Sequence, residues 1–405
     1  MSRRVAWGVC ALIALGAACR GEPRRAAPSD AVIAELVDSL RPGVERAAGM
    51  RFKTTPRSAM RSKEQVRAYL TRKLRDELPP ERVKGIEAAY RLIGLLPDSV
   101  KLESLLIDLY TEQVAGYYDP DSTTLFGVTG ADRAQLRLVL AHEMVHALQG
   151  QYLRLDSIMK DIRSNDRLAA AQAVLEGQAT LVSIRVLSPD TDVTASPEFW
   201  NDYRAMISQQ QASMPVFARA PLIIRETLLF PYLDGAEFMR WWSTSPLRDT
   251  VPYGPRMPVS TEQVLHPDRY LAHDMPVPVR FTDGPAPMYE DMLGELEIRV
   301  LQVQQRGRDA VVPGAGAIGW GGDRYRVYDT PHGPALVWYI AWDDARAGER
   351  FLAQTGAGLR ALARPGYRTT VDGLTLGDRS ATRVVVAPAA WEEWAALPAA
   401  EIAAK

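Results

Sequence analysis

The sequence predicts an α+β protein: a mainly helical region with a small edge sheet over residues 30–287, then a separate α+β module over residues 288–405. Two observations carry this. Apolar residues recur at helix spacing along most of the chain up to about Trp242, whereas strand-like apolar runs gather beyond Met288. Between them, Arg248 to Pro287 is rich in prolines and reads as irregular chain wrapped over the helical region. The length of 405 residues is enough for two or three domains, and the composition is that of a globular protein.

The chain opens with Arg3-Arg4, an apolar run from Val5 to Ala18, and small residues before Cys19. This is the pattern of an export signal over residues 1–18, too short for a convincing membrane span. Leu15-Gly16-Ala17-Ala18-Cys19 resembles a bacterial lipoprotein processing site, with the aliphatic residue one place early. We read a lipid anchor through Cys19 at the cell envelope, with free secretion or a periplasmic location as the alternative. Residues 19–29, rich in arginine, proline and alanine, would form a flexible tether. Cys10 and Cys19 are the only cysteines, so the mature chain has no intramolecular disulfide. A net charge of −1 and the lack of a sustained basic run beyond the N-terminus give no reason to expect a nucleic-acid partner.

From Asp30 to Ala115 the pattern is helical. Val32-Ile33, Leu36-Val37 and Leu40 recur at helix spacing, Ser62-Lys63-Glu64-Gln65 opens a second helix that Pro79-Pro80 ends, and further segments follow at Val83 to Leu96 and Val100 to Val114. Glu112 to Asp121 and then Thr123 to Val128 read as a helix end feeding a small hairpin. Thr124 to Val128 is its candidate edge strand, on which a peptide would add as a further strand. Tyr118 or Tyr117 is placed to donate a hydrogen bond to an oxyanion.

The next helix carries His142-Glu143-Met144-Val145-His146. Residues four apart share one helix face, so both imidazoles can point at one ion. Glu143, at roughly 100° per residue, lies beside that ion and within reach of a water on it. The spacing supplies two ligands and a base together. Asp132 and Gln135 form a capping box at the start, and Gly150 is placed to follow the C-terminus. Gln149 and Tyr152 stand where the three-histidine version of the motif needs glycine and histidine, so a third histidine close by is excluded.

A third ligand on a second helix is the better reading. Asp166 to Leu187, stopped by Pro189, is that helix, and Glu176 is its outstanding residue, with Gln172, Ala173, Ala179 and Thr180 on its face and Gly177 adjacent, all small but Gln172. Such a small-residue face would let the helix approach the histidine helix closely. Asp156, Asp161 and Asp166 are rival carboxylates, with His266 and His273 as more distant rivals.

Here the chain resembles the gluzincin type of zinc metallopeptidase, in which an HExxH helix is followed by a second helix with a glutamate ligand. The resemblance implies a zincin-like catalytic domain, Zn2+ held by His142, His146 and Glu176, and Glu143 as general base acting on a peptide or protein substrate. Many gluzincins carry an aspartate four residues after the ligand glutamate, and here that position is Thr180, which leaves the outer support of the histidines unassigned. Phe230 to Gly235 and Ser260 to Tyr270 resemble segments of a group of bacterial metallopeptidases known mostly by sequence, which extends the likeness over about Leu105 to Tyr270. His266, in a proline-flanked loop, is a candidate to stabilise the oxyanion, and Arg269 and His273 are weaker ones. A non-catalytic envelope lipoprotein with a structural metal, its site closed by His266 or His273, is the competing class.

Phe199 to Trp242 reads as mainly helical. In the C-terminal module a helix is expected from Tyr289 to Gln305, strands at Tyr325 to Tyr328, Ala335 to Trp342 and Thr382 to Ala387, and a helix over Asp343 to Leu362. A final helix should follow Pro388. Gly319 to Arg324 lacks the lysine of a phosphate loop and reads as a tight turn entering a strand.

Overall fold

The computed structural model describes residues 29–153, 164–306, 316–362 and 364–403. The export segment with Cys10 and Cys19, and the rival ligands Asp156 and Asp161, lie outside these residues. None of the helices described is long and apolar enough to cross a membrane. The architecture is α+β, as its apolar periodicities predict.

The helical region begins with α1 (Asp30–Ala48), α2 (Lys63–Glu77), α3 (Pro80–Leu92) and α4 (Leu102–Gln113). Ser62 and Gln65 close the expected capping box of α2 by exchanging side-chain and backbone hydrogen bonds. Three short strands form the first sheet: β1 (Arg57–Arg61), β2 (Gly116–Asp119) and β3 (Thr124–Val128), in the order β1-β3-β2. This corrects the expected edge. β3 lies in the middle, parallel to β1 and antiparallel to β2, with all five of its residues buried. Its apolar run has two faces to cover, and β1, drawn from the connection between α1 and α2, takes its open side. The edge beside the next helix is β2.

That helix, α5 (Arg133–Tyr152), starts at the Asp132/Gln135 capping box and runs through Gly150, three residues past the end that the glycine suggested. It packs on α1 and on α6 (Asn165–Leu187) through Ala141, Met144, Val145 and Leu148 against Ala179, Val182 and Val186. On its other side α6 packs along α9 (Leu222–Thr244), after α7 (Pro197–Ala212) and α8 (Pro215–Arg219) have led the chain there. The small-residue face of α6 is used mainly here. A Cβ on Gly177 would sit 2.2 Å from the backbone of Gly235, and one on Gly235 would sit 2.2 Å from the carbonyl oxygen of Ala173. Two helices this close need glycine at the crossing.

The segment after α9 holds α10 (Thr261–Leu265), α11 (Pro267–Leu271) and β4 (Val279–Phe281), the last paired with β10 (Ala400–Ile402). β5 (Tyr289–Asp291) then joins the edge of a five-stranded antiparallel sheet, and α12 (Gly294–Arg306) begins only after Gly294, at φ +72°. The helix expected from Tyr289 is thus a strand first. β6 (Trp320–Tyr328), β7 (Ala335–Trp342), β8 (Tyr367–Leu376) and β9 (Arg379–Pro388) complete the order β5-β6-β7-β9-β8. Between β7 and β8 the chain is helical over α13 (Ala345–Phe351), a π-helical turn and α14 (Ala357–Ala361). The glycine-rich stretch is a turn entering β6, as read, whereas after Pro388 there is a short 3₁₀ turn and β10 in place of a final helix.

The sheet is buried on both faces, which explains the unbroken apolar run of β7. Trp338, Ile340 and Trp342 share a core with α3, α4, α9 and α12, while Val337, Tyr339 and Ala341 pack on β4, β9 and Trp391. The helices of the first half and the C-terminal sheet therefore share one core.

Candidate metal centre

His142 and His146 stand one turn apart on α5 with ring centroids 4.8 Å apart. Glu176 comes to them from α6, where the Gly177–Gly235 crossing sets the helix. Its Oε2 lies 3.0 Å from His142 Nε2 and 3.3 Å from His146 Nε2. One ligand atom from each of the three residues falls within 4.8 Å of the others, and Glu143 is outside that group. The four side chains are 2, 1, 3 and 4% exposed for His142, Glu143, His146 and Glu176.

Glu143 Oε2 accepts a 2.8 Å hydrogen bond from the backbone N–H of Tyr118. The pairing of β2 with β3 explains this: residues alternate in direction along a strand, and the Tyr118 amide faces away from β3, toward α5. Glu143 Oε1 and His146 Nε2 are buried and have no hydrogen-bond partner among the described residues. At 3.3 Å, His146 Nε2 is close to Glu176 without the alignment of a hydrogen bond.

Burial pushes the Glu143 carboxyl up to about 8, with the Glu176 charge adding and His146 and the Tyr118 amide opposing. Burial also acts to raise Glu176, but the two imidazoles overcome it and hold the carboxyl well below the usual range. For His146 burial acts downward and is outweighed by the nearby Glu176 and Glu143 charges and the Gln149 hydrogen bond, which push it up to about 9, while burial keeps His142 low. A buried carboxylate thus faces an imidazole pair that shares one favoured proton.

Two imidazole nitrogens and one carboxylate oxygen are the donor set of catalytic zinc sites. The unpartnered, buried Nε2 of His146 fits the same reading, since buried polar atoms are nearly always paired and an orphan asks for a partner. His142, His146 and Glu176 therefore fit a zinc ion, and Glu143 fits the place of a base beside it.

Other sequence candidates are held elsewhere. His266 stands at the N-terminal boundary of α11 without capping it through its side chain, and its Nε2 lies 2.8 Å from Glu295 Oε1, outside the metal-capable group. Its partner is 29 residues away on α12, a pairing that no local pattern announces. Tyr118 meets the site through its backbone, and its ring packs at the margin of the α1–α5 core. Tyr117 stacks on Tyr69 at 4.6 Å in a different core. Asp166 accepts from the Thr261 N–H at 3.1 Å, and His273 is exposed. Arg269 binds Asp274 and Asp343, both at 2.5 Å, and lies 3.7 Å from Glu262. Those three acids form the other metal-capable group among the described residues, and the guanidinium between them answers their charge.

Two residues at the site had no role there in the sequence reading. Gln149 Oε1 lies 2.9 Å from His146 Nδ1, and Tyr232 from α9 stacks on His142 with ring centroids 5.9 Å apart. Gln149 stands three residues after His146 on one helix, the spacing at which side chains meet, and that was the available signal.

A family model described as Domain of unknown function (DUF8575) matches residues 285–393, the stretch that holds β5 to β9 and none of the centre. No curated protein and no solved structure matches the chain.

Proposed function

We propose that the chain is a zinc-dependent peptide hydrolase of the bacterial cell envelope. The observation that carries this is the meeting of His142, His146 and Glu176 from two helices, with Glu143 alongside and one oxygen unpartnered. The envelope location rests on the export and lipoprotein pattern before Arg20.

When bound, zinc supplies Lewis acidity toward water and toward the scissile carbonyl. The chain's own residues supply the rest. The Tyr118 N–H fixes Glu143 Oε2, which leaves Oε1 to take a proton from the attacking water as its oxygen bonds to the carbonyl carbon. The same Oε1 then gives that proton to the amine as the C–N bond breaks. A carboxyl raised toward neutrality suits a group that must both accept and return a proton. His142 and His146 hold the ion, and Tyr232 packs on the first of them. The outer edge of β2, aimed at α5, replaces β3 as the place where a peptide backbone would align.

The near-complete burial of the four side chains favours a second reading, in which the chain binds a partner and the metal is structural. Hydrolysis from this conformation requires an opening motion, which would gate turnover. Digestion of a peptide library by the zinc-loaded chain separates the two. The hydrolase cleaves peptides, stops when a chelator is added, and is inactive as Glu143→Gln. A zinc-loaded wild type that cleaves nothing supports the partner-binding reading.

A further inference from the structure

Gln149 is fully buried, yet each of its side-chain atoms that can form a hydrogen bond is engaged. Its Nε2 donates to the carbonyl oxygen of Leu175 at 2.9 Å and to Gln178 Oε1 at 2.9 Å. Gln178 Oε1 also accepts from the Tyr253 hydroxyl, so its two lone pairs are used. The Leu175 carbonyl can only accept, and this settles the orientation of the Gln149 amide: nitrogen toward Leu175, oxygen toward His146. The oxygen in turn can only accept. His146 Nδ1, 2.9 Å away, must therefore carry the hydrogen. In a neutral imidazole the lone pair then falls on Nε2, the atom that is buried beside Glu176 without a hydrogen-bond partner.

We infer that Gln149 is a positioning residue that fixes His146 as an Nε2 metal donor, itself held by the Leu175 carbonyl, Gln178 and Tyr253. This deepens the metal-centre reading above and rests on it. The amide orients the imidazole as a carboxylate would, without adding a charge to the centre. It also links the two ligand helices directly. Leu175 neighbours Glu176, so one side chain from α5 registers both its own ligand His146 and the segment that carries the third. Tyr253 extends the link to the chain after α9, far from the motif in sequence.

The test has two arms. In the first, ¹⁵N NMR of histidine-labelled protein reads which nitrogen carries the hydrogen of the neutral His146 imidazole, in the metal-free chain at a pH high enough to deprotonate the imidazolium and again with zinc. Nδ1 carries a slowly exchanging hydrogen in both states if Gln149 acts as inferred. An unprotonated Nδ1 in the wild type overturns the inference. In the second, zinc alone is titrated into the wild type, Gln149→Met and Gln149→Glu, each first checked for a single cooperative melting transition. Gln149→Met should weaken zinc binding by roughly 10–100-fold and expose Nδ1 to exchange. Gln149→Glu, which keeps the acceptor oxygen toward His146 but loses both donated hydrogen bonds to Leu175 and Gln178, should keep the Nδ1 hydrogen and recover only part of the affinity. Equal affinity in wild type and Gln149→Met overturns the inference, and a folded Gln149→Met that retains the protected Nδ1 hydrogen does so too. Failure of the wild type to bind zinc instead overturns the metal-centre reading, and the metal-free NMR arm then decides the role of Gln149 by itself.

Discussion

Asp323 in the C-terminal sheet and Glu143 beside the histidine pair are both carboxylates with 1% exposure or less, and their surroundings differ in kind. Asp323 receives four N–H donors, two on each oxygen: Leu293 N at 2.9 Å and Trp338 Nε1 at 2.9 Å on Oδ2, Gly294 N at 3.0 Å and Trp320 Nε1 at 3.0 Å on Oδ1. It stops β5, starts α12 and pins two core tryptophans. Glu143 receives one donor, and its second oxygen has none among the described residues. A buried carboxylate with every lone pair answered holds a fold together, whereas one left half-answered beside an orphan imidazole nitrogen marks a place where a guest and a reaction are expected.

Replacing carboxylate by amide at each position sharpens the contrast. Glu143→Gln should cut peptide hydrolysis by about 10²–10⁴-fold while zinc content and the melting temperature stay near those of the wild type. Retained hydrolysis in the purified variant would remove Glu143 as the base. Asp323→Asn should do the reverse. Its amide nitrogen faces two N–H donors that it cannot accept, at about 1–3 kcal/mol each, so the expected loss is about 2–6 kcal/mol in urea unfolding. A fully stable Asp323→Asn would show that the four hydrogen bonds do not define its role.

A smaller effect is expected at the helix crossing. Gly177→Ala places a methyl 2.2 Å from Gly235 and should cost about 1–3 kcal/mol, with zinc affinity reduced as Glu176 shifts with its helix. An unchanged affinity in a folded Gly177→Ala would detach the crossing from the site.

A further effect concerns pH. Burial pushes Asp166, at the start of α6, up to about 8, and Glu262 up to about 9. An unfolded aspartate titrates near ~3.9, so the folded chain keeps a proton that the unfolded chain has released. The stabilisation is complete below the unfolded value and fades as pH rises through the folded one, which makes the decline run from about pH 4 to about pH 8. Melting temperature should fall across that window, and Asp166→Asn should flatten part of the fall. An identical profile in the variant would place the titration elsewhere.

Much of this contrast was legible in the sequence, and unevenly so. The spacing of His142, Glu143 and His146 determines their geometry once a helix forms, and the Asp132/Gln135 box marks where it starts. Glu176 was legible as an acid within a run of small residues. What that run touches was not, because small size announces a close approach without saying to which helix, and Gly177 meets Gly235 of α9 instead of the histidine helix. β1 went unread since Arg57 and Arg61 flank a short strand with no alternation, and its pairing with β3 joins segments far apart in the chain. Tyr289 to Asp291 looked helical until Asp323, 29 residues after Gly294, set the true start of α12. Gln149 was read only as a departure from the three-histidine pattern. Its positive role depends on Leu175, Gln178 and Tyr253, contacts that exist only after folding.

The central claim is that the two imidazoles on α5 and the Glu176 carboxylate on α6 form a metal centre. Zinc content after equilibration with limiting zinc, measured on wild type, Glu143→Gln and Glu176→Ala, tests it most directly. The account predicts stoichiometric zinc in the first two and its loss from the third. Equal zinc retention by Glu176→Ala, or none in the wild type, would contradict it.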